Sequence, residues 1–185
     1  MTKYTVKLTS AAPLTQSRKH NEPKLDKELA DAYEKRTWRN KAHVGESGFI
    51  EIPGFALKCA VVAAAKYAGD QIPGKGKNTW TKKFQCGLII PENAVTDCKP
   101  SAITPIEINA NVDGVRGSGK KVTRTFPQLL KWTATVPVLV VDEILTKEVL
   151  TTYLTAAGQF IGVGQYRPEN GGNNGRFSVD IVEFK

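Results

Sequence analysis

Residues 54–68 (GFALKCAVVAAAKYA) are apolar nearly all the way round a helical projection, with only Lys58 and Lys66 charged. A helix of that kind has no polar side to offer to water, so any fold for this chain must bury it. Gly69 follows as a natural stop.

The flanking segments say what buries it. Residues 4–9 (YTVKLT) alternate polar and β-branched or apolar side chains and read as a first strand. The spacing of Leu25, Leu29, Ala32 and Tyr33 predicts a surface helix within 21–39. Residues 84–90 read as a second strand, and 91–100 as a turn-rich connector. Residues 106–112 and 121–125 alternate around a glycine-rich tip and predict an inserted β-hairpin. Residues 132–141 (WTATVPVLVV) give the strongest strand signal, with Pro137 arguing for an edge or a bulge. Residues 146–157 form an amphipathic helix with Thr146 as N-cap and Gly158 as stop. Residues 160–163 read as extended, and 176–184 as a last strand. The order is strand, helix, strand, strand, helix, strand. That is an α+β, ferredoxin-like or RRM-like βαββαβ core in one domain over 1–185, with insertions at about 18–47 and 91–131.

Charge narrows the function. Twenty-six Lys and Arg against eighteen Asp and Glu leave +8, a balance that draws polyanions. Three cysteines form no CxxC and read as reduced thiols, consistent with a cytoplasmic protein. The longest apolar stretch, 60–65, is far short of the roughly 20 residues of a membrane span.

Three loops concentrate the basic residues. The first, 74–83 (GKGKNTWTKK), holds Lys75, Lys77, Lys82 and Lys83 without an acid, and Trp80 between them offers a stacking face. The second, 114–124, carries Arg116, Lys120, Lys121 and Arg124 among glycines that let backbone amides approach a phosphate. The third, 162–176, reads as a mobile glycine and asparagine loop presenting Tyr166, Arg167 and Arg176. Residues 69–75 and 114–120 both spell GxxxxGK, but the next residues are Gly76 and Lys121. A P-loop needs Ser or Thr there, a strand before and a helix after. Helical structure is expected neither at 78–83 nor at 121–126. Pro168 and the glycines after it exclude a dinucleotide-binding helix start. His20 and His43 lack partners for a metal site, and no catalytic set is legible, so no catalytic residue, cofactor or metal is assigned. Asp26 and Asp31 read as solvated helix charges.

Residues 49–61 (FIEIPGFALKCAV) resemble the IPGSSLKGALR segment of the RAMP superfamily, the RRM-like subunits that form CRISPR effector backbones. Residues 158–177 resemble that superfamily's C-terminal glycine-rich loop, a GxGxxRxxGxGR-like run after a helix end. Residues 4–17 are similar to its first strand and following polar turn. The resemblance implies an RRM-like palm that grips single-stranded RNA by its backbone without reading sequence. It puts Lys58 near phosphate at the start of the central helix, makes the 106–124 hairpin a thumb, and matches Arg167 and Arg176 to the glycine-loop bases. Phe55 and Ala56 stand where the family has serines.

The expected function is therefore non-enzymatic, largely sequence-independent binding of single-stranded nucleic acid, RNA rather than DNA, with self-association along the strand. Two alternatives stay open. One is a RAMP-like interaction module, or a virus- or plasmid-encoded mimic that blocks a CRISPR-type complex. The other is a metal-dependent endoribonuclease, for which only Asp26 and Asp31 stand ahead of the Ile-Pro-Gly segment in a suitable place.

Overall fold

The computed structural model describes residues 1–111, 119 and 121–184. In chain order the elements are β1 (Thr2–Ser10), β2 (Leu14–Thr15), α1 (Ala30–Thr37), β3 (Glu51–Ile52) and α2 (Gly54–Ala68). There follow α3 (Trp80–Gly87), β4 (Leu88–Ile89), β5 (Ala94–Thr96), β6 (Thr104–Asn111) and β7 (Lys121–Leu129). The last are β8 (Thr133–Val140), α4 (Lys147–Ala156) and β9 (Phe177–Phe184).

Alternation in β1 has its physical consequence in the main sheet. Tyr4, Val6 and Leu8 are buried, whereas Lys3 and Lys7 point outward. β1 lies between β8 and β9, antiparallel to both. The short β4 and β5 pair with the far side of β8, and β3 extends β5. The order β9, β1, β8, then β4 or β5, is that of the antiparallel ferredoxin-like sheet. Val6, Leu8, Val136 and Val138 face Leu57 and Val61 of α2, Phe84 of α3, and Leu150 and Leu154 of α4 in a single core. Each such side chain contributes roughly 1.5–3 kcal/mol when fully buried. A second sheet of order β2, β7, β6 stands beside it and contains the predicted hairpin.

α2 occupies the predicted span, and Gly69 caps it in the left-handed region at φ 67°. Other expectations need correction. β8 is central, not at an edge. Pro137 is tolerated because its nitrogen faces the gap between β5, which pairs at Ala134 and Thr135, and β4, which pairs at Leu139 and Val140. The strand expected at 84–90 shrinks to Leu88–Ile89. Before it runs α3, whose Trp80, Phe84 and Gly87 are buried at helical spacing. α1 is shorter than expected, because 22–28 fold back on Arg36, which bonds Glu28 at 2.9 Å and Glu22 at 3.1 Å. α4 does not stop at Gly158. It continues as a π turn, Ala157–Ile161, so 160–161 are not extended, and the stop is Gly162 at φ 73°.

Candidate nucleic-acid interface

The third basic loop is a folded object, not a mobile one. The Val163 amide donates to the Gly175 carbonyl at 3.0 Å, Asn174 to Tyr166 at 2.9 Å, and Gly172 to Arg167 at 3.1 Å. The loop is also sewn to the turn after β1. Gly175 donates to Pro13 at 2.7 Å, Gln165 to Thr15 at 2.7 Å, and the Asn174 side chain to the Thr15 hydroxyl at 2.8 Å. Glycine is required at 175: φ is 72°, and a Cβ there would lie 1.8 Å from the Val163 carbonyl oxygen.

This loop forms one wall of a groove whose other wall is the start of α2. A cleft of about 190 Å³ is lined by Gln16, Ser17, His43, Pro53, Gly164 and Arg167, among others. A second of about 310 Å³ continues along α2 past Phe55, Cys59, Ile161 and Glu169. The two share Ala56, Gly164 and Arg167. Ala56 lies in the first turn of α2, where backbone amides lack intrahelical acceptors and the helix dipole favours an anion.

Side chains around the groove are held in place. Buried Gln16 accepts from the His43 amide at 2.8 Å and donates to the Glu51 carbonyl at 2.8 Å, joining the post-β1 turn to β3. Burial, aided by Arg18, pushes the His43 imidazole below its ordinary value, and Glu51 opposes this. Arg167 is aimed by Glu169, at 2.8 and 2.7 Å, and by the Gly164 carbonyl at 3.2 Å. Both partners of that pair are substantially exposed, so the pair itself contributes at most about 1 kcal/mol. An incoming phosphate can displace Glu169 at little cost.

The predicted residues separate into groups. Arg167 lies on the groove. Arg176 closes the same loop, donating from Nη1 to the Gln159 carbonyl. Tyr166, at φ 58°, sets its ring edge-on to Phe126 of β7 at 5.8 Å, which brings the base of the hairpin beside the loop. On β7, Lys121 is exposed and Arg124 lies 3.7 Å from Glu34. Arg116 and Lys120 lie outside the described residues. Lys58 is half-buried one turn into α2 and belongs to neither cleft lining.

The first basic loop stands elsewhere. Lys75, Lys77, Lys82 and Lys83 line a separate cleft of about 450 Å³ with Asn78 and Thr79. It lies beyond the C-terminal end of α2, whose 15 residues span roughly 22 Å. The three loops thus do not converge on one groove. Lys83 bonds Asp142 at 2.9 Å and holds that carboxyl below its ordinary value. Trp80 is 8% exposed and packs on Tyr153 with ring centroids 6.1 Å apart, so it is a core residue and not a stacking face. Residues 80–83 are helical after all, but the 69–75 run still follows a helix and precedes Gly76, so it is no P-loop.

His43, Gln16, Ser17 and Arg18 were missed by sequence reasoning, because no local motif marks them. Asp26 is exposed, and Asp31 lines a cleft with Glu34, Lys35 and Glu107 at the foot of α1. Among the described residues, no group of three or more His, Cys, Asp or Glu side chains is arranged to hold a metal ion. No helix among them is long and apolar enough to cross a membrane.

No protein-family model and no curated protein matches this sequence. Solved structures do match in fold. Over 98% of this chain and 61% of the other, at 11% identity and a TM-score of 0.55, it is similar to a chain in the cryo-EM structure of the Type III-B Cmr-beta bound to cognate target RNA. Cmr6 from Pyrococcus furiosus aligns over 99% of this chain and 98% of its own, at 16% identity and a TM-score of 0.47. A chain of a CRISPR RNA-guided surveillance complex aligns over 83% of this chain and 58% of its own, at 9% identity and a TM-score of 0.32. The α+β fold with antiparallel sheets is shared with the chain of the Cmr-beta structure.

Proposed function

We propose that this RAMP-fold chain holds single-stranded nucleic acid, RNA in preference to DNA, by its backbone and without reading sequence. The observation that carries the proposal is the groove between the first turn of α2 and the folded glycine loop. It joins a helix N-terminus, an orientable Arg167, His43 and nearby Arg18 along one path. Those are donors and cations suited to phosphates. The fold neighbour comes from a complex, Cmr-beta, bound to cognate target RNA, which supports the same choice of ligand. Arg176, Tyr166, Lys121 and Arg124 extend the grip toward the hairpin; Arg116 and Lys120, outside the described residues, are proposed contacts on their charge alone. Lys58, Lys75, Lys77, Lys82 and Lys83 add long-range attraction from the side and far end of α2.

Ultraviolet crosslinking to a uridine oligomer, followed by peptide mapping, tests this. Crosslinks are expected at 14–18, 53–59 and 160–176. Crosslinks confined to 75–83 would refute the groove.

A second reading is favoured by the outer face of the main sheet. Ile89, Val95 and Val182 are all exposed there, registered with Leu139, Thr135 and Thr5. Such a face suits association with RAMP-like subunits or with further copies along a strand. An association that survives nuclease treatment is its signature.

A further inference from the structure

Outside the groove and the core, one pair of side chains has an unusual setting. Tyr67, in the last turn of α2, and Phe160, in the π turn after α4, stack with centroids 5.6 Å apart and planes 29° apart. They are 70% and 50% exposed. Two large rings in contact with each other, yet largely in water, gain little from folding. Their supports are rigid: Tyr67 precedes the Gly69 cap, and the π turn is closed by the Gly162 amide on the Ala157 carbonyl at 2.7 Å. Gly158 in that turn lies so close to β9 that a Cβ would meet the Phe177 carbonyl oxygen at 2.1 Å.

The pair adjoins the lining of the groove in sequence. The second cleft's lining includes Cys59 and Ala60 of α2 and Ile161 of the π turn. Ile161 adjoins Phe160, and Tyr67 is two turns, roughly 12 Å, beyond Cys59 along α2. Cations flank it. Exposed Lys66 precedes Tyr67, and Arg176 reaches the carbonyl of Gln159, next to Phe160. Aromatic faces between basic side chains beside a phosphate-binding path are the components of a single-strand stacking site.

We infer that Tyr67 and Phe160 form a base-stacking platform that extends the groove along α2. The inference rests on the proposed single-strand binding and names where the bases go. It replaces Trp80, which the fold buries, as the aromatic contact.

The test compares a fluorescein-labelled uridine oligomer with an abasic oligomer of equal length, using wild type and a Tyr67→Ala/Phe160→Ala double variant. Loss of stacking is expected to weaken uridine binding roughly 5- to 150-fold. Abasic binding and the salt dependence should not change, and Tyr67→Trp with Phe160→Trp should restore affinity. Equal uridine affinity in wild type and the alanine variant would overturn the platform while leaving the groove intact. An equal loss on the abasic strand would also overturn it. If wild type binds neither oligomer, the single-strand reading itself falls, and the platform with it.

Discussion

The amide of Val163 donates to the carbonyl of Gly175 at 3.0 Å, while the Cα of Gly175 packs so close to the Val163 carbonyl oxygen that a Cβ would lie 1.8 Å from it. This reciprocal closure turns a glycine-rich stretch into a fixed wall. Gly175→Ala therefore combines a left-handed alanine, costing on the order of 1–3 kcal/mol, with a clash against backbone. Gly74 has a matching φ of 72° but nothing within 4 Å, so Gly74→Ala carries only the backbone cost. Thermal melts should show a much larger fall in Tm for Gly175→Ala, with loss of oligonucleotide binding in that variant alone.

His43 gives the groove a pH signature. Its folded value lies below the ordinary 6.5, because burial and then Arg18 disfavour the charged form and Glu51 only partly compensates. Stability is therefore fully present above about pH 6.5. It is lost as pH falls toward the lower folded value, because the unfolded chain takes up the proton first. A phosphate beside His43 favours the imidazolium, so oligonucleotide affinity should rise between pH 7.5 and 5.5 with net proton uptake. His43→Gln should flatten the pH dependence of both stability and affinity, measured by melts and anisotropy.

Cysteine accessibility reports occupancy. Cys59 is exposed on the second cleft, and Cys86 is exposed on α3. Burial, with Asp97 beside it, pushes the Cys98 thiol up to about 11, so it stays protonated at pH 8. Alkylation followed by mass spectrometry should modify Cys59 and Cys86 and spare Cys98. Bound oligonucleotide should slow Cys59 and leave Cys86 unchanged.

Trp80 separates core from site. Trp80→Ala should cost about 3–5 kcal/mol in denaturant unfolding, the usual range for a buried aromatic. The folded fraction should keep its affinity for single strands.

Much of this was legible in the sequence, for physical reasons. β1, β8, β9 and α4 are long enough for their hydrophobic period to show, α2 stands out by its unbroken apolar length, and together they dictate the ferredoxin-like order. β3, β4 and β5 have only two or three residues, too few for any period; β4 and β5 exist because β8 offers an unpaired side, and β3 because β5 in turn offers one. The run ending FQCGLII hid a helix-to-strand change, since a short apolar run fits either state. At the site, glycine density pointed to 162–176, but not to its rigidity, which depends on Pro13 and Thr15 far away in sequence. His43 reaches the groove through Gln16, a tertiary contact with no local sequence signature.

Electrostatic capture in the α2–glycine-loop groove means that each bound phosphate displaces counterions from the strand. Fluorescence anisotropy with a uridine oligomer across a salt series, for wild type and Arg167→Ala, tests it most directly. Log affinity should fall linearly with log salt, by about 0.7 per phosphate contact, and Arg167→Ala should make the slope shallower by close to one contact. A wild-type affinity that stays flat with salt, or an Arg167→Ala slope equal to wild type, would contradict the account.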